Sequence, residues 1–158
     1  MADQPVRLAV LIDAENTSHA ILDKLFAKIK IEGLGVATVR RAYGNINLLA
    51  QAGWKSALSK HAINPKPQIN SIKGKNSGDI GLVIDAMDLL HSGSCDAFCI
   101  ASSDSDFTGL AIRIRECGSK VYVVGDEKKT PGSLISASEL IDSNTLRHPS
   151  KSNSQVAK

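Results

Sequence analysis

The chain has 158 residues, a length that suits one domain with a full hydrophobic core and leaves little room for a second. Hydrophobic residues make up 42% of it and charged residues 22%, which are ordinary values for a globular protein. The formal net charge of +3 excludes a generally acidic protein and is too weak to indicate nucleic-acid binding by itself.

Neither a membrane segment nor a disulfide framework is expected. No segment is long and apolar enough to span a bilayer, and the polar first five residues do not resemble a signal peptide. Cys95, Cys99 and Cys117 are an odd number without paired spacing, which indicates reduced thiols in a cytoplasm. His91 with Cys95 and Cys99 could suggest zinc, but Cys99 falls in a predicted strand and no fourth ligand is near, so buried core thiols are the better interpretation.

Apolar runs alternate with helical patterns from the first residues onward. Residues 8–12 form a continuous apolar strand of the kind buried on both faces of a parallel sheet. Thr17 or Ser18 can cap the helix that follows. Its apolar stripe consists of Ile21, Leu22, Leu25, Phe26 and Ile29. A second strand at 36–42 and a second helix at 48–62 come next. A short strand at 68–72, preceded by Pro65 and Pro67, is expected at a sheet edge.

The second half continues the alternation. We predict helices at 78–91, 107–117 and 134–141, with strands at 96–101 and 120–124 between them. Residues 1–143 would form one domain, and the polar residues 144–158 a disordered tail. This order predicts an α/β protein with a single, doubly wound parallel sheet of about five strands flanked by helices. In such sheets ligands bind beyond the carboxyl ends of the strands, near the point where strand order reverses.

Carboxylates follow the first, fourth and fifth predicted strands, the fifth being followed by Asp126 and Glu127. Asp13 follows the first strand, and Asp104 and Asp106 follow the fourth. If these strands are neighbours, Asp13 and Asp104 lie close together, and a divalent cation relieves their repulsion. Hard oxygen ligands suit Mg²⁺ or Mn²⁺. Asp106 could equally be an ordinary helix N-cap. The serines of this segment are interpreted as turn residues, because no His or Lys is placed to activate them as nucleophiles.

Asp79 lies within the apolar stripe of the predicted helix 78–91. A carboxylate pointing under a helix is costly unless it is paired or bound to metal, so the helical wheel selects Asp79 as a third acid. Asp85 and Asp88 fall outside the stripe and are expected to be solvated or structural. The residues that share the face of Asp79 are Leu82, Val83, Ala86 and Leu90.

The acids could together hold one or two metal ions, activate a water and offset charge on a scissile phosphate. Basic residues near the same edge could contact phosphates, although each taken singly is more often solvated surface. These candidates are Arg40, Arg41, Lys73, Lys75, Lys128 and Lys129.

Four segments in order resemble the motifs of NYN domains, relatives of the PIN-like nucleases, and within them the bacterial LabA-like branch. They are VLIDAEN at 10–16, GKNSGD at 74–79 with VIDAMDLL at 83–90, SSDSDF at 102–107, and KKTP at 128–131. The resemblance covers nearly the whole chain up to about Asp142. Glu15 stands where this branch often has Asp.

The resemblance implies a PIN-like fold and a metal-dependent phosphodiesterase acting on RNA, and it leaves a homodimer open. By motif position Asp13, Asp79, Asp104 and Asp106 would be catalytic, metal-binding acids, with Asn16 and Ser103 as polar supports.

A non-catalytic RNA-binding or regulatory protein on the same scaffold is the main alternative. The complete acid set favours the enzyme. A haloacid-dehalogenase phosphatase would need Asp where Glu15 stands, and a dinucleotide-binding Rossmann protein would need a glycine-rich first turn, which is absent.

Overall fold

The computed structural model describes residues 4–68 and 77–147, in which strands and helices alternate. The strands are β1 (Arg7–Asp13), β2 (Val36–Asn45), β3 (Asn64–Gln68), β4 (Ala97–Ala101), β5 (Lys120–Gly125) and β6 (Glu139–Asp142). The helices are α1 (Leu22–Ile31), α2 (Ile46–Leu49), α3 (Ala52–Lys60), α4 (Ser77–Ser92), α5 (Thr108–Glu116), α6 (Gly132–Ala137) and α7 (Ser143–Arg147).

The strands of this region form one six-stranded, all-parallel sheet in the order β3-β2-β1-β4-β5-β6. The order reverses between β1 and β4, which are hydrogen-bonded neighbours with Ile12 opposite Ala101. The predicted α/β sheet is therefore confirmed, with one strand more than expected. The residues that directly follow Ile12 and Ala101 meet at the switch point, where ligands bind in such sheets.

Side chains of β1 alternate between two hydrophobic layers, which explains why its sequence is apolar without interruption. Leu8, Val10 and Ile12 pack with α1 on one face. Ala9 and Leu11 pack with α4 and α5 on the other face. Helix α4 is thereby fixed against the sheet beside the switch point.

The C-terminal part differs from the sequence prediction. The predicted helix 134–141 is wrong: α6 ends at Ala137, and residues Glu139–Asp142 form β6, paired with β5. Ser138 adopts an extended conformation, and its Oγ donates to the carbonyl oxygen of Leu134 at 2.7 Å. Helix α7 follows, with Leu146 buried, so residues 144–147 belong to the packed domain rather than to the predicted tail. Residues 148–158 lie outside the described residues.

Two further elements are placed differently in the first half. The predicted helix 48–62 is two helices, α2 and α3, separated where Gln51 is extended. Strand β3 ends at Gln68, where the predicted third strand begins, so it includes both prolines. It lies at the sheet edge as predicted, and an edge strand tolerates their missing N–H groups. Residues 69–72 of the predicted strand lie outside the described residues.

The cysteines fit the prediction of free thiols. Cys99 is buried in β4, Cys95 is buried just before it, and Cys117 is exposed. Within residues 4–68 and 77–147, no helix has the length and apolar character needed to cross a membrane.

Candidate metal centre

Asp13 ends β1 and is only 1% exposed. Its Oδ2 accepts hydrogen bonds from Asn16 Nδ2 and from Ser102 Oγ, each at 2.8 Å. Its Oδ1 is also buried, and none of the described residues donates a hydrogen bond to it. Burying an ionised carboxylate oxygen without a partner is costly, so this atom is suited to an electropositive ligand.

Ser102 joins the ends of β1 and β4. It is 1% exposed, donates to Asp13 Oδ2 and accepts the backbone N–H of Asp104 at 3.1 Å. The interpretation of Ser102 as a plain turn residue missed this role. Nothing in the sequence distinguishes it from Ser103 or Ser105, because the contact depends on the pairing of two strands distant in the chain.

Asp104 is half-buried immediately after β4. Its Oδ1 accepts the backbone N–H of Asp106 at 2.9 Å, so Asp104 caps the short 3-10 turn Ser105–Phe107. The capping role considered for Asp106 therefore belongs to Asp104.

Asp79 lies in the first turn of α4 and is 9% exposed. Leu82 and Ala86, which share its face, are fully buried. The carboxylate therefore points under the helix, as the helical wheel predicts.

Asp13, Asp79 and Asp104 together form the acid cluster, in which one carboxylate oxygen of each lies within 4.8 Å of the others. Burial raises the pKa of Asp79 to about 7, and the negative charges of Asp13 and Asp104 add to this shift. Burial also raises the pKa of Asp13, against the hydrogen bonds from Asn16 and Ser102.

The ion pairs formed among the described residues do not involve these acids. Three convergent hard oxygen donors, one of them a buried orphan, fit Mg²⁺ or Mn²⁺.

Asp106 is exposed and stands outside this group of three. Its charge contributes to the raised pKa of Asp79, and both side chains line a shallow groove that also contains Phe107. Asp106 therefore lies at the border of the acid cluster rather than within it.

The other predicted site residues divide into two groups. Asn16 contacts Asp13, and Ser103 and Lys129 line a pocket next to Asp104; Lys128 is exposed in the same loop.

The two arginines are not brought to the acid cluster. Arg40 donates to the carbonyl oxygens of Ala37 and His61 and lies over the Phe26 ring. Arg41 pairs with Asp85 at 3.2 Å. Lys73 and Lys75 lie outside the described residues.

An α/β sheet with an acid cluster at its switch point is an architecture of PIN-like nuclease domains, and the comparisons place the chain within that class. Residues 7–144 match the model of the NYN domain, so the chain belongs to this family, which is part of the PIN-like superfamily. NYN domains are generally nucleases.

A crystal structure of a protein of unknown function from Vibrio parahaemolyticus is similar in fold, with a TM-score of 0.64. The two sequences are 21% identical, and the alignment covers 90% of this chain and 94% of that one. No curated protein matches this sequence.

Proposed function

We propose that this NYN domain is a metal-dependent ribonuclease, and that its centre is the cluster of Asp13, Asp79 and Asp104. The observation that carries the proposal is the buried Oδ1 of Asp13, which has no hydrogen-bond donor among the described residues and lies in a group of convergent carboxylates. NYN nucleases use divalent metals and generally act on RNA, which supports the same assignment.

The three acids would hold Mg²⁺ or Mn²⁺, with Asp106 binding or orienting from the adjoining turn. A divalent ion bound there supplies a more acidic water and offsets negative charge on the phosphate. Asn16 and Ser102 hold Asp13 in place through its Oδ2, which leaves Oδ1 for the ion. Ser103 supports the centre from the neighbouring pocket.

The proposed reaction is hydrolysis of a phosphodiester. The oxygen of a water forms a bond to phosphorus and gives up one proton to solvent, one ester P–O bond breaks, and the leaving alkoxide takes up a proton from solvent. The products carry one hydroxyl end and one phosphomonoester end, without a 2′,3′-cyclic phosphate. Lys128 and Lys129, exposed in the loop after β5, would neutralise phosphates of the bound strand.

Two finer assignments concern the branch of the family and the cellular compartment. We assign the chain to the LabA-like branch on the four segments described above. We assign it to the cytoplasm on its free cysteines, two of them buried.

The deciding experiment compares the parent chain with Asp104→Asn on RNA and DNA oligonucleotides in Mg²⁺, Mn²⁺ or EDTA. The substitution keeps the shape and the cap acceptor but removes a charge, so cleavage should be lost while the melting temperature is unchanged or higher. Lost activity without lost stability identifies a functional residue.

Asp88→Asn is the matched control, because Asp88 is exposed on α4 and should leave activity unchanged. If the parent chain binds RNA but does not cut it in Mg²⁺ or Mn²⁺, the nuclease proposal is wrong and the non-catalytic RNA-binding alternative is favoured.

A further inference from the structure

A pocket of about 340 Å³ opens beside the acid cluster, between the carboxyl ends of β1, β4 and β5. Asn16 and Asp104 belong both to its wall and to the metal centre, and Ser103, Asp126 and Lys129 also line it. We call it the sugar pocket. A group bound in this pocket lies directly next to a phosphate held at the acid cluster.

The Ser103 hydroxyl is fixed by the protein but not saturated by it. Its Oγ accepts the backbone N–H of Asp126 and contacts the Thr130 hydroxyl, both at 3.2 Å. Thr130 donates its single proton to the carbonyl oxygen of Asp126 at 2.7 Å, so the Ser103 proton points to Thr130 Oγ1 at the longer contact. This proton can turn to a ligand, because a hydroxyl rotates to suit its partners. Gly125 makes the arrangement possible, since a Cβ there would collide with Ser103 Oγ and come within 2.7 Å of Thr130 Oγ1.

Asp126 provides a fixed acceptor in the same wall. Its Oδ1 accepts the backbone N–H of Lys128 at 2.9 Å and Asn144 Nδ2 at 3.0 Å. These two bonds help to hold the pKa of Asp126 below its usual range, so the carboxylate stays ionised near neutral pH. Its Oδ2 receives no hydrogen bond from the described residues and can accept one from a ligand.

This chemistry distinguishes a sugar from a phosphate. A phosphate is an anionic acceptor, and the carboxylate of Asp126, which lies outside the metal-binding cluster, would repel it. A sugar hydroxyl is neutral and both donates and accepts, which matches a carboxylate beside a partly satisfied hydroxyl. Lys129 is exposed at the same pocket and suits the phosphate that follows the sugar.

We propose that the sugar pocket binds the ribose of the nucleotide adjoining the cleaved bond, with the 2′-hydroxyl donating to Asp126 and hydrogen-bonded to Ser103. Because that hydroxyl is what distinguishes RNA from DNA, the pocket makes the enzyme selective for RNA. This inference rests on the proposed ribonuclease function and names the substrate feature that its site recognises.

The test uses an RNA oligonucleotide cleaved at one mapped bond, and a series in which one ribose at a time is replaced by 2′-deoxyribose. Replacement next to the cleaved bond should lower kcat/KM about tenfold or more, because a hydrogen bond to a charged group is lost. The other positions should have little effect. Products without a cyclic phosphate show that the 2′-hydroxyl is not the nucleophile, so that a loss of kcat/KM on its removal reports recognition.

Two variants assign the effect to the pocket. Ser103→Ala and Asp126→Asn should each lower kcat/KM on the all-ribose substrate and reduce the ratio between the ribose and deoxyribose substrates. Ser105→Ala, an exposed serine of the same loop, should keep the parent ratio. The melting temperature of each variant shows whether it is folded. If Asp126→Asn lowers the melting temperature, the comparison rests on Ser103→Ala.

The sugar-pocket proposal is wrong if the parent chain has the same kcat/KM on every substrate of the deoxyribose series. It is also wrong if both variants keep the parent ratio between ribose and deoxyribose substrates. Neither result contradicts the proposed ribonuclease function. If the parent chain cuts no RNA, the proposed ribonuclease function is wrong. The sugar-pocket proposal is then tested by the ratio of the affinities for all-ribose and all-deoxyribose strands in Mg²⁺. A ratio near unity overturns it, and a ribose preference that Ser103→Ala removes supports it.

Discussion

At the scale of single residues, Ser102 holds the metal centre together. Ser102→Ala removes the donor to Asp13 Oδ2 and the acceptor for the Asp104 N–H, both at buried or half-buried atoms. We expect a loss of about 1 to 3 kcal/mol in the free energy of unfolding and a weaker affinity for Mg²⁺. Thermal melts across a Mg²⁺ titration measure both effects.

Ser105→Ala is the control for this prediction, since Ser105 is exposed three positions after Ser102 and lies between Asp104 and Asp106 in the sequence. If both variants show the same melting temperature and the same Mg²⁺ midpoint, Ser102 does not organise the site.

The acid cluster also predicts a pH dependence of stability. The folded-state pKa of Asp79 is raised from 3.8 to about 7, so between these values the folded chain binds a proton that the unfolded chain has lost. The contribution of Asp79 to stability is therefore complete below about pH 4 and is lost as the pH rises through 7. In EDTA, the melting temperature should rise from about pH 8 to about pH 5.5.

Saturating Mg²⁺ should oppose this trend, because protons compete with the metal and the ion stabilises the folded state by mass action. Asp79→Asn should reduce the rise in EDTA, since an amide does not titrate and only the raised pKa of Asp13 then remains. A melting temperature that falls steadily on acidification over this range, equally in parent and variant, would contradict the assignment.

The sequence predicts the acids better than it predicts their partners. Asp13 and Asp104 could be located because they follow strands that are recognisable from their own composition. Asp79 could be located because helical periodicity is local. Arg40 and Arg41 lie within the second strand, as its predicted range already implied, and both find partners that local sequence does not reveal, His61 for Arg40 and Asp85 for Arg41.

At the scale of elements, helix α4 carries Asp79 and is anchored to β2 by two polar contacts of Asp85. The Tyr43 hydroxyl donates to Asp85 Oδ2 at 2.6 Å, and Arg41 pairs with the same oxygen. Tyr43 is 1% exposed, so the contact replaces water at a buried ring. Of the two roles expected for Asp85, solvated or structural, the structure shows the structural one.

Tyr43→Phe should lower the free energy of unfolding by roughly 1 to 2 kcal/mol, because Asp85 loses one of its two partners at a half-buried site and keeps only Arg41. Helix α4 should then hold Asp79 less firmly, so the Mg²⁺ midpoint should also rise. Tyr122→Phe in β5, a buried tyrosine outside this contact, is the matched control. Chemical denaturation measures the free energy of unfolding of both variants, and Mg²⁺ titration measures their midpoints. If both quantities are equal in the two variants, the contact between Tyr43 and Asp85 does not anchor α4.

Elements with a strong period of their own were predicted, and those set by tertiary contacts were not. Strand β1 and helix α4 are long and distinctive in sequence. The short apolar segment from Leu134 to Ile141 suits a helix or a strand, and only the free edge of β5 decides that its second half becomes β6. The break at Gln51 likewise has no Gly or Pro to mark it.

At the scale of the whole molecule, the doubly wound topology follows from the alternation of strands and helices, together with right-handed crossovers. The topology makes β1 and β4 neighbours, although their paired residues are 89 positions apart. The acid cluster is thus a consequence of the fold. From the sequence, the proximity of Asp13 and Asp104 could be predicted only if the first and fourth strands were assumed to be neighbours, because no local pattern determines strand order.

The weak net charge of +3 means that capture of RNA depends on where the basic residues lie. If Lys129 contacts a phosphate beside the sugar pocket, Lys129→Ala should weaken RNA binding and flatten its salt dependence. For single strands, the slope of log affinity against log salt should fall by about 0.7 for each lost contact. Lys30→Ala removes the same charge from an exposed residue at a separate pocket, formed with Arg40 and Gly35, and should keep the parent slope. Fluorescence anisotropy at several salt concentrations measures both slopes. If the two variants lose affinity equally and keep equal slopes, the loop after β5 contributes only to overall charge, and the RNA strand follows another path across the molecule.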